Sequence, residues 1–286
     1  MADALNTVWV TGAAGLIGNY LVRTAPRLVP DANVVALTRQ LLELTDAAAV
    51  AAEFRRQKPQ LVIHCAALSR SPDCEASPAL ARRVNVQVTA LLAQLAAEIQ
   101  FVLLSTDLVF DGRAGHYRES AATNPLGVYA ETKVAAEQMV LSNPGHMVIR
   151  TSLNGGNSPA GDRGFNEQMR RAWQAGQAVR LFTDEFRSPI PAEVTARAIW
   201  ELARQNQTGL YHVAGSERLS RWQIGQLLAA RWPELGPKIV PGSLKDYEGA
   251  PRAPDTSLNC AKAQQLLSFR LPGLTEWLDT HPTEVF

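Results

Sequence analysis

The sequence predicts an α/β fold, a doubly wound parallel sheet with a smaller mixed α/β lobe that binds substrate. Three observations carry that expectation. Apolar runs of strand length alternate with helix-length runs up to Thr151, the pattern that a parallel sheet with crossover helices imposes. The first strand breaks into Gly12, Gly15 and Gly18 and then into a helical run. Beyond residue 153 the chain becomes a glycine-rich polar loop, Asn154 to Gly164, followed by short mixed elements. The expected boundaries are a dinucleotide-binding domain at 1–153 and, at 154–286, mainly a substrate-binding lobe with some segments returning to the first domain.

Composition bounds the function. With 286 residues, 46% hydrophobic and 19% charged, the chain can bury a large core. Lys plus Arg number 28 against 27 Asp plus Glu, a formal net charge of +1. No global field then favours nucleic acid or an anionic membrane, and any anion must be held by a local site. Met1 to Asn6 lacks a basic and then apolar leader, and no run approaches about 18 apolar residues, so a cytoplasmic address is expected. Cys65, Cys74 and Cys260 form no Cys-x-x-Cys or Cys/His cluster, which argues against a disulfide framework and against a metal site.

In chain order, Val8 to Val10 is the first strand, and the Gly-x-x-Gly-x-x-Gly turn after it reads as a Rossmann-like dinucleotide cradle. Gly12 allows the sharp turn, Gly15 lets the backbone approach a pyrophosphate, and Gly18 lets the helix pack on the strand. Leu16 and Ile17 open the helix 16–28, whose unpaired N–H groups and dipole face the phosphates. The alternative is a merely structural loop. Asn33 to Thr38 is the second strand, with Arg39 at its carboxyl end. An acidic residue there would bond a ribose 2′-hydroxyl, whereas arginine neutralises a 2′-phosphate, so NADP(H) is the preferred cofactor and NAD(H) the alternative. Glu43 to Asp46 fits a very short third strand before a helix capped near Thr45, with Glu43 and Leu44 flanking the adenine.

Leu61 to Cys65 is too short for a helix and reads as a buried parallel strand. Its exit through Cys65, Ala66 and Ala67 offers small residues over which a cofactor can lie. His64, inside the strand, reads as a packed core histidine. Ser77-Pro78 opens a long helix, 79–97, through an N-cap. The strand 101–106 is followed by a loop, 107–124, of the length that belongs to a site; a helix at 128–141 and a strand at 147–151 complete the first domain. Helices at 165–174, 191–204, 220–231 and 260–267, with strand-like runs at 179–181 and 210–213, build the lobe over the sheet's carboxyl edge.

Tyr129 and Lys133 stand four apart and share one helix face, and Ser105-Thr106 ends a strand that opens into the same crevice. A phenol beside an ammonium, aided by positively charged nicotinamide, is drawn toward the phenolate and so toward working pH. Lys133 also holds the nicotinamide ribose, and Thr106 positions the substrate oxygen. These three residue types suit carbonyl reduction by hydride; taken alone, a tyrosine and lysine at this spacing are commonplace surface residues.

The glycine spacing resembles the extended branch of the short-chain dehydrogenase/reductase family. The segments Ser105-Thr-Asp-Leu-Val-Phe-Asp-Gly112, Pro125-Leu-Gly-Val-Tyr-Ala-Glu-Thr-Lys133, Arg150-Thr-Ser152, Arg252-Ala-Pro-Asp-Thr-Ser-Leu258 and, more loosely, Asp184-Glu-Phe-Arg-Ser-Pro189 resemble its dTDP-4-dehydrorhamnose reductase group over nearly the whole chain. That resemblance implies a catalytic set of Thr106, Tyr129 and Lys133, and places Arg252 near the substrate's nucleotide. Arg187 and Arg252 either clamp a diphosphate or form surface or interlobe salt bridges; Asp107 either orients substrate or caps a turn. Two departures fall on the substrate side: Leu153-Asn154-Gly155 stands where the group has Trp-Val-Tyr, and Arg252-Ala253 where it has Arg-Pro. The expected activity is reduction of a keto group on a nucleotide-linked deoxysugar, with a homodimer as a compatible assembly. The alternatives are an NAD-dependent nucleotide-sugar epimerase and a non-catalytic regulatory subunit resembling that of methionine adenosyltransferase.

Overall fold

The computed structural model describes residues 6–286, so the reading of Met1 to Leu5 as free of a leader lies outside the described residues. Six strands form the central sheet: β1 (Thr7–Thr11), β2 (Asn33–Leu37), β3 (Leu61–His64), β4 (Gln100–Thr106), β5 (Met147–Thr151) and Gly209–Val213. Every neighbouring pair is parallel. Their spatial order is Gly209–Val213, β5, β4, β3, β1, β2, so the direction of winding reverses between β1 and β3. A crevice opens beyond the carboxyl ends of the strands at such a reversal.

Successive side chains leave opposite faces of each strand. In β1, Val8 and Val10 join the layer formed by α1 (Leu16–Leu28) and the helix Ala192–Arg204, while Trp9 joins the layer of the helices Val88–Leu95 and Val128–Leu141. Both faces are covered, which is why the strands read as unbroken apolar runs. Each Val, Ile or Leu fully buried this way contributes about 1.5–3 kcal/mol. Trp200 Nε1 donates to the Leu21 carbonyl at 3.1 Å, fixing the distant helix Ala192–Arg204 on α1. A separate cluster around Met169, Trp173, Ile224, Leu228 and Trp277 forms the core of the lobe.

Several expected elements differ. Residues 43–46 form turns, not a strand. The cap expected near Thr45 is Asp46, which accepts from Ala49 N at 3.0 Å at the start of α2 (Ala47–Gln57), while Thr45 donates to Glu43. The long helix 79–97 is divided into Pro78–Arg82, a π-helical turn at Arg83–Gln87 and Val88–Leu95, and Ser77 makes no side-chain cap. The wider turn carries Asn85 inward, where its amide clamps both backbone groups of Leu68 and bonds Thr132. The run 210–213 extends to Gly209–Val213 and joins the main sheet beside β5. The helix 260–267 shrinks to Ala261–Gln264. The run 179–181 lies in Ala178–Phe182, which pairs with an unforeseen strand at Lys238–Gly242. No helix among the described residues is long and apolar enough to cross a membrane.

Candidate active site

A groove of about 830 Å³ runs along the carboxyl ends of β1, β3 and β4. Every residue expected at the cofactor lines it: Gly12, Gly15, Leu16, Ile17, Gly18, Arg39, Glu43, Leu44, Cys65, Ala66, Ala67, Tyr129 and Lys133. Gly12 has φ +68°, and a Cβ there would stand 2.7 Å from Ala66 N, so this turn admits only glycine. A Cβ at Gly18 would run into the Gly12 carbonyl, which accounts for the close seating of α1. α1 starts from Gly15 with no side-chain cap and no acidic residue in its first turn. Its N–H groups are left for an anion, so the cradle fits a dinucleotide pyrophosphate.

At the far end of the groove Arg39 is 82% exposed, with Nε 3.8 Å from a Glu43 carboxylate oxygen. Glu43 itself accepts from Thr45 N and Oγ1, bonds that hold its carboxyl below the usual range with help from Arg39 and Arg83. At the near end, Thr106 closes β4 while Tyr129 and Lys133 stand one turn apart at the start of the helix Val128–Leu141. The helix begins at Gly127, which has no side chain to cap it; Glu75 reaches across to accept from Val128 N at 2.8 Å.

Lys133 is 2% exposed and its Nζ donates to the Leu104 carbonyl at 2.7 Å. Burial pushes its ammonium down to about 8, against an upward pull from Glu137. For Tyr129 the groups of the chain alone act against the expected shift toward phenolate. Burial, and next the Asp107 carboxylate, raise the phenol well above its ordinary value, and the facing Thr106 hydroxyl only partly offsets them. The groups of this chain therefore hold Tyr129 as a neutral phenol, the form with a proton to give. His64 is a packed core histidine as read: Thr11 and Thr89 hydroxyls flank its ring nitrogens, and burial pushes it down to about 3.

The expected substrate residues are placed differently. Asp107 and Arg187 are buried and do not line the groove. Asp107 accepts from the hydroxyls of Thr106, Ser152 and Thr256, because three chain segments converge on it. Arg187 spends its donors on Glu185, Phe186 O and Ala253 O within the lobe, and its Nε stands 3.7 Å from Asp107 of the first domain. Arg252 bonds Glu185 through Nε at 2.7 Å and Nη2 at 3.0 Å and is 32% exposed, lying over Phe182 and Tyr247. Burial alone would push the Glu185 carboxyl up, but Arg221, Arg187 and Arg252 outweigh it and hold it at about 2.

Several contributors escaped the sequence reading. Glu137, buried, accepts from Ser105 Oγ and from Arg150 Nε and Nη2. Its place four residues after Lys133 on the same helix face was the available signal. Arg163 and Phe165 also line the groove beside Leu153 and Asn154. A Cβ at Gly155 would stand 2.6 Å from the Phe286 ring, which packs directly on that glycine.

A family model described as the RmlD substrate binding domain matches residues 6–283. A dTDP-4-keto-6-deoxy-D-glucose reductase of Streptomyces niveus is 35% identical over 224 residues, covering 76% of each chain. Methionine adenosyltransferase 2 subunit beta of Xenopus laevis is 27% identical over 271 residues, covering 90% of this chain and 81% of its own. Among solved structures, dTDP-4-dehydrorhamnose reductase of Bacillus anthracis in complex with NADP has a TM-score of 0.87 at 23% identity, covering 96% of this chain and 98% of that one. That last likeness is one of fold.

Proposed function

The chain belongs to the RmlD substrate-binding-domain family of extended short-chain reductases, and we propose on that premise that it reduces a keto group on a nucleotide-linked deoxysugar, preferring NADPH to NADH. The observation that carries the reading is the meeting of Thr106, Tyr129 and Lys133 on the same groove as the Gly12–Gly18 cradle and the Cys65–Ala67 strand exit.

A bound nicotinamide supplies the hydride. The residues of the chain do the rest. The glycine turn and the open end of α1 bind the pyrophosphate; Cys65, Ala66 and Ala67 leave room over the backbone; Arg39 meets a 2′-phosphate at the groove's exposed end. Thr106 Oγ1 bonds the substrate oxygen and orients it. Tyr129 Oη, held neutral, delivers its proton to that oxygen as the carbonyl becomes an alcohol. Lys133 Nζ, whose ammonium burial lowers to about 8, would hold the ribose hydroxyls beside the nicotinamide. Residues 1–153 act as the cofactor domain and 154–286 mainly as the substrate lobe, in a cytoplasmic enzyme compatible with a homodimer.

The test is a panel of nucleotide-linked 4-keto-6-deoxysugars assayed for loss of NADPH and NADH absorbance, with Tyr129→Phe as control. That variant is expected to lose at least about a hundredfold in kcat while binding NADPH within about threefold of the parent, since it removes one hydroxyl from an extensive groove. Turnover retained by Tyr129→Phe removes the proton-donor role.

The match to methionine adenosyltransferase 2 subunit beta over most of the chain favours a second reading, a cofactor-binding partner of a methionine adenosyltransferase. Stoichiometric co-purification with such an enzyme, and no turnover on any keto-sugar, would decide for it. Tightly retained NAD with no net NADPH oxidation would instead indicate an epimerase.

A further inference from the structure

We infer that Glu185, Arg187 and Asp107 form a buried relay that positions the Thr106 hydroxyl without touching substrate, an inference that rests on the reductase reading above. Asp107 Oδ1 accepts from Thr106 Oγ1 at 3.2 Å, while Leu108 N donates to that same hydroxyl oxygen at 3.2 Å. The backbone thus fixes where the Thr106 oxygen sits, and Asp107 takes its single proton. At 3.2 Å the bond to Asp107 is long for a hydroxyl donor. The proton can therefore turn to a substrate oxygen while the Thr106 oxygen stays in place.

Asp107 can play this part only if it is itself immobile and charged. Ser152 Oγ at 2.7 Å and Thr256 Oγ1 at 2.8 Å both donate to its other oxygen, and Arg187 Nε stands 3.7 Å away as the counter-ion. Arg187 is held in turn by Glu185 Oε1 at 2.9 Å and by two carbonyls. Glu185 is fully buried and is reached by Arg221 at 3.0 Å and Arg252 at 2.7 Å, whose outer parts approach the surface of the lobe. Thr106 is thereby tied to both the sheet and the lobe. The groups acting on Tyr129 are Asp107, Cys74 and Glu137 on the raising side and Thr106 on the lowering side, so Asp107 also bears on the proton donor.

The variants are Asp107→Asn, Thr256→Val and Arg187→Lys, each assayed for kcat, KM, NADPH binding by fluorescence, and melting temperature. Asp107→Asn is expected to lower kcat about ten- to a hundredfold, the scale of a misplaced reacting group, with KM for the nucleotide sugar and the NADPH Kd within about threefold. Because it removes a negative charge beside Tyr129, the alkaline limb of kcat for reduction moves to lower pH. Thr256→Val, which keeps shape and charge, lowers kcat several-fold with the same unchanged KM and serves if Asp107→Asn fails to fold. Arg187→Lys falls between the parent and Arg187→Met. A rise in KM at unchanged kcat would make Asp107 a substrate contact and overturn the relay, as would unaltered kinetics in both Asp107→Asn and Thr256→Val. A parent protein that binds NADPH but reduces no keto-sugar removes the reductase reading itself and the relay with it, whereas an active parent with active variants removes the relay alone.

Discussion

Replacing Lys133 by methionine should make the protein more stable and nearly inactive at once. Burial lowers the Lys133 ammonium from the ordinary 10.5 to about 8 even though Glu137 pulls the other way. At pH 7 the group is charged in both the folded and the unfolded chain. The folded state then carries a penalty on the charged form of about 3 kcal/mol, from the conversion of about 1.4 kcal/mol per pKa unit. Methionine, of similar length and apolar, removes that penalty but also loses the bond to the Leu104 carbonyl, so the expected net gain is about 1–3 kcal/mol. The sign follows from proton counting. Between about 8 and 10.5 the unfolded chain binds a proton that the folded chain has released, so parental stability rises with pH across that window. The advantage of Lys133→Met should accordingly be full below about pH 8 and fade toward pH 10.5. Urea unfolding of both proteins at pH 7 and pH 10 measures this directly. A variant less stable than the parent at pH 7 would show that the Glu137 attraction and the Leu104 bond outweigh burial, and would refute the reasoning.

Arg39→Ala should weaken NADPH binding about tenfold and leave NADH unchanged, since only the former offers a phosphate to a guanidinium at an exposed site; fluorescence titration of both cofactors checks it. Glu137→Gln should cost about 3–5 kcal/mol in urea unfolding because it strands the buried Arg150 guanidinium; a loss under about 1 kcal/mol would mean that His212, beside Arg150 Nη1 at 3.5 Å, or water takes over. Gly18→Ala should destabilise by about 1–3 kcal/mol through overpacking against the Gly12 carbonyl and weaken both cofactors together, which calorimetry with each nucleotide would show.

Much of the groove was legible because its signals are local. The turn at Gly12 and Gly18, the small exit at Cys65–Ala67 and the Tyr129–Lys133 spacing each depend on residues a few positions apart, and local geometry is what a sequence encodes most openly. Asp107 misled because Ser152 and Thr256 reach it from afar, and Arg187 because its near neighbour Glu185 is held inside only with the help of Arg221 and Arg252. Whether an arginine faces a ligand or a carboxylate depends on Glu185 being folded beneath it, and nothing in the segment 184–189 states its burial. The same holds for Tyr129: its neighbour in sequence is Lys133, but its governing charge is Asp107, brought in from another strand end. The division of the helix 79–97 was hidden because π and α turns share residue preferences, and Asn85 shows its inward role only once Leu68 and Thr132 are in place. The strand Lys238–Gly242, with Pro241 and Gly242 in it and no fully buried side chain, carries no apolar alternation to read.

The strand Gly209–Val213 bonds along β5, and the helix Ala192–Arg204 lies on α1. The two halves of this molecule are thus woven rather than strung. A fragment cut after residue 153 would leave the backbone of Met147–Thr151 open on one flank and remove the helix Ala192–Arg204 from the layer over Val8, Val10 and Ile149, an invitation to edge-to-edge association. Such a protein cannot trade residues 154–286 as a ready-made cassette, because they supply a strand and a covering helix to the central sheet. A change in the groove is made by substitution in place, at lining residues such as Leu153 or Arg163.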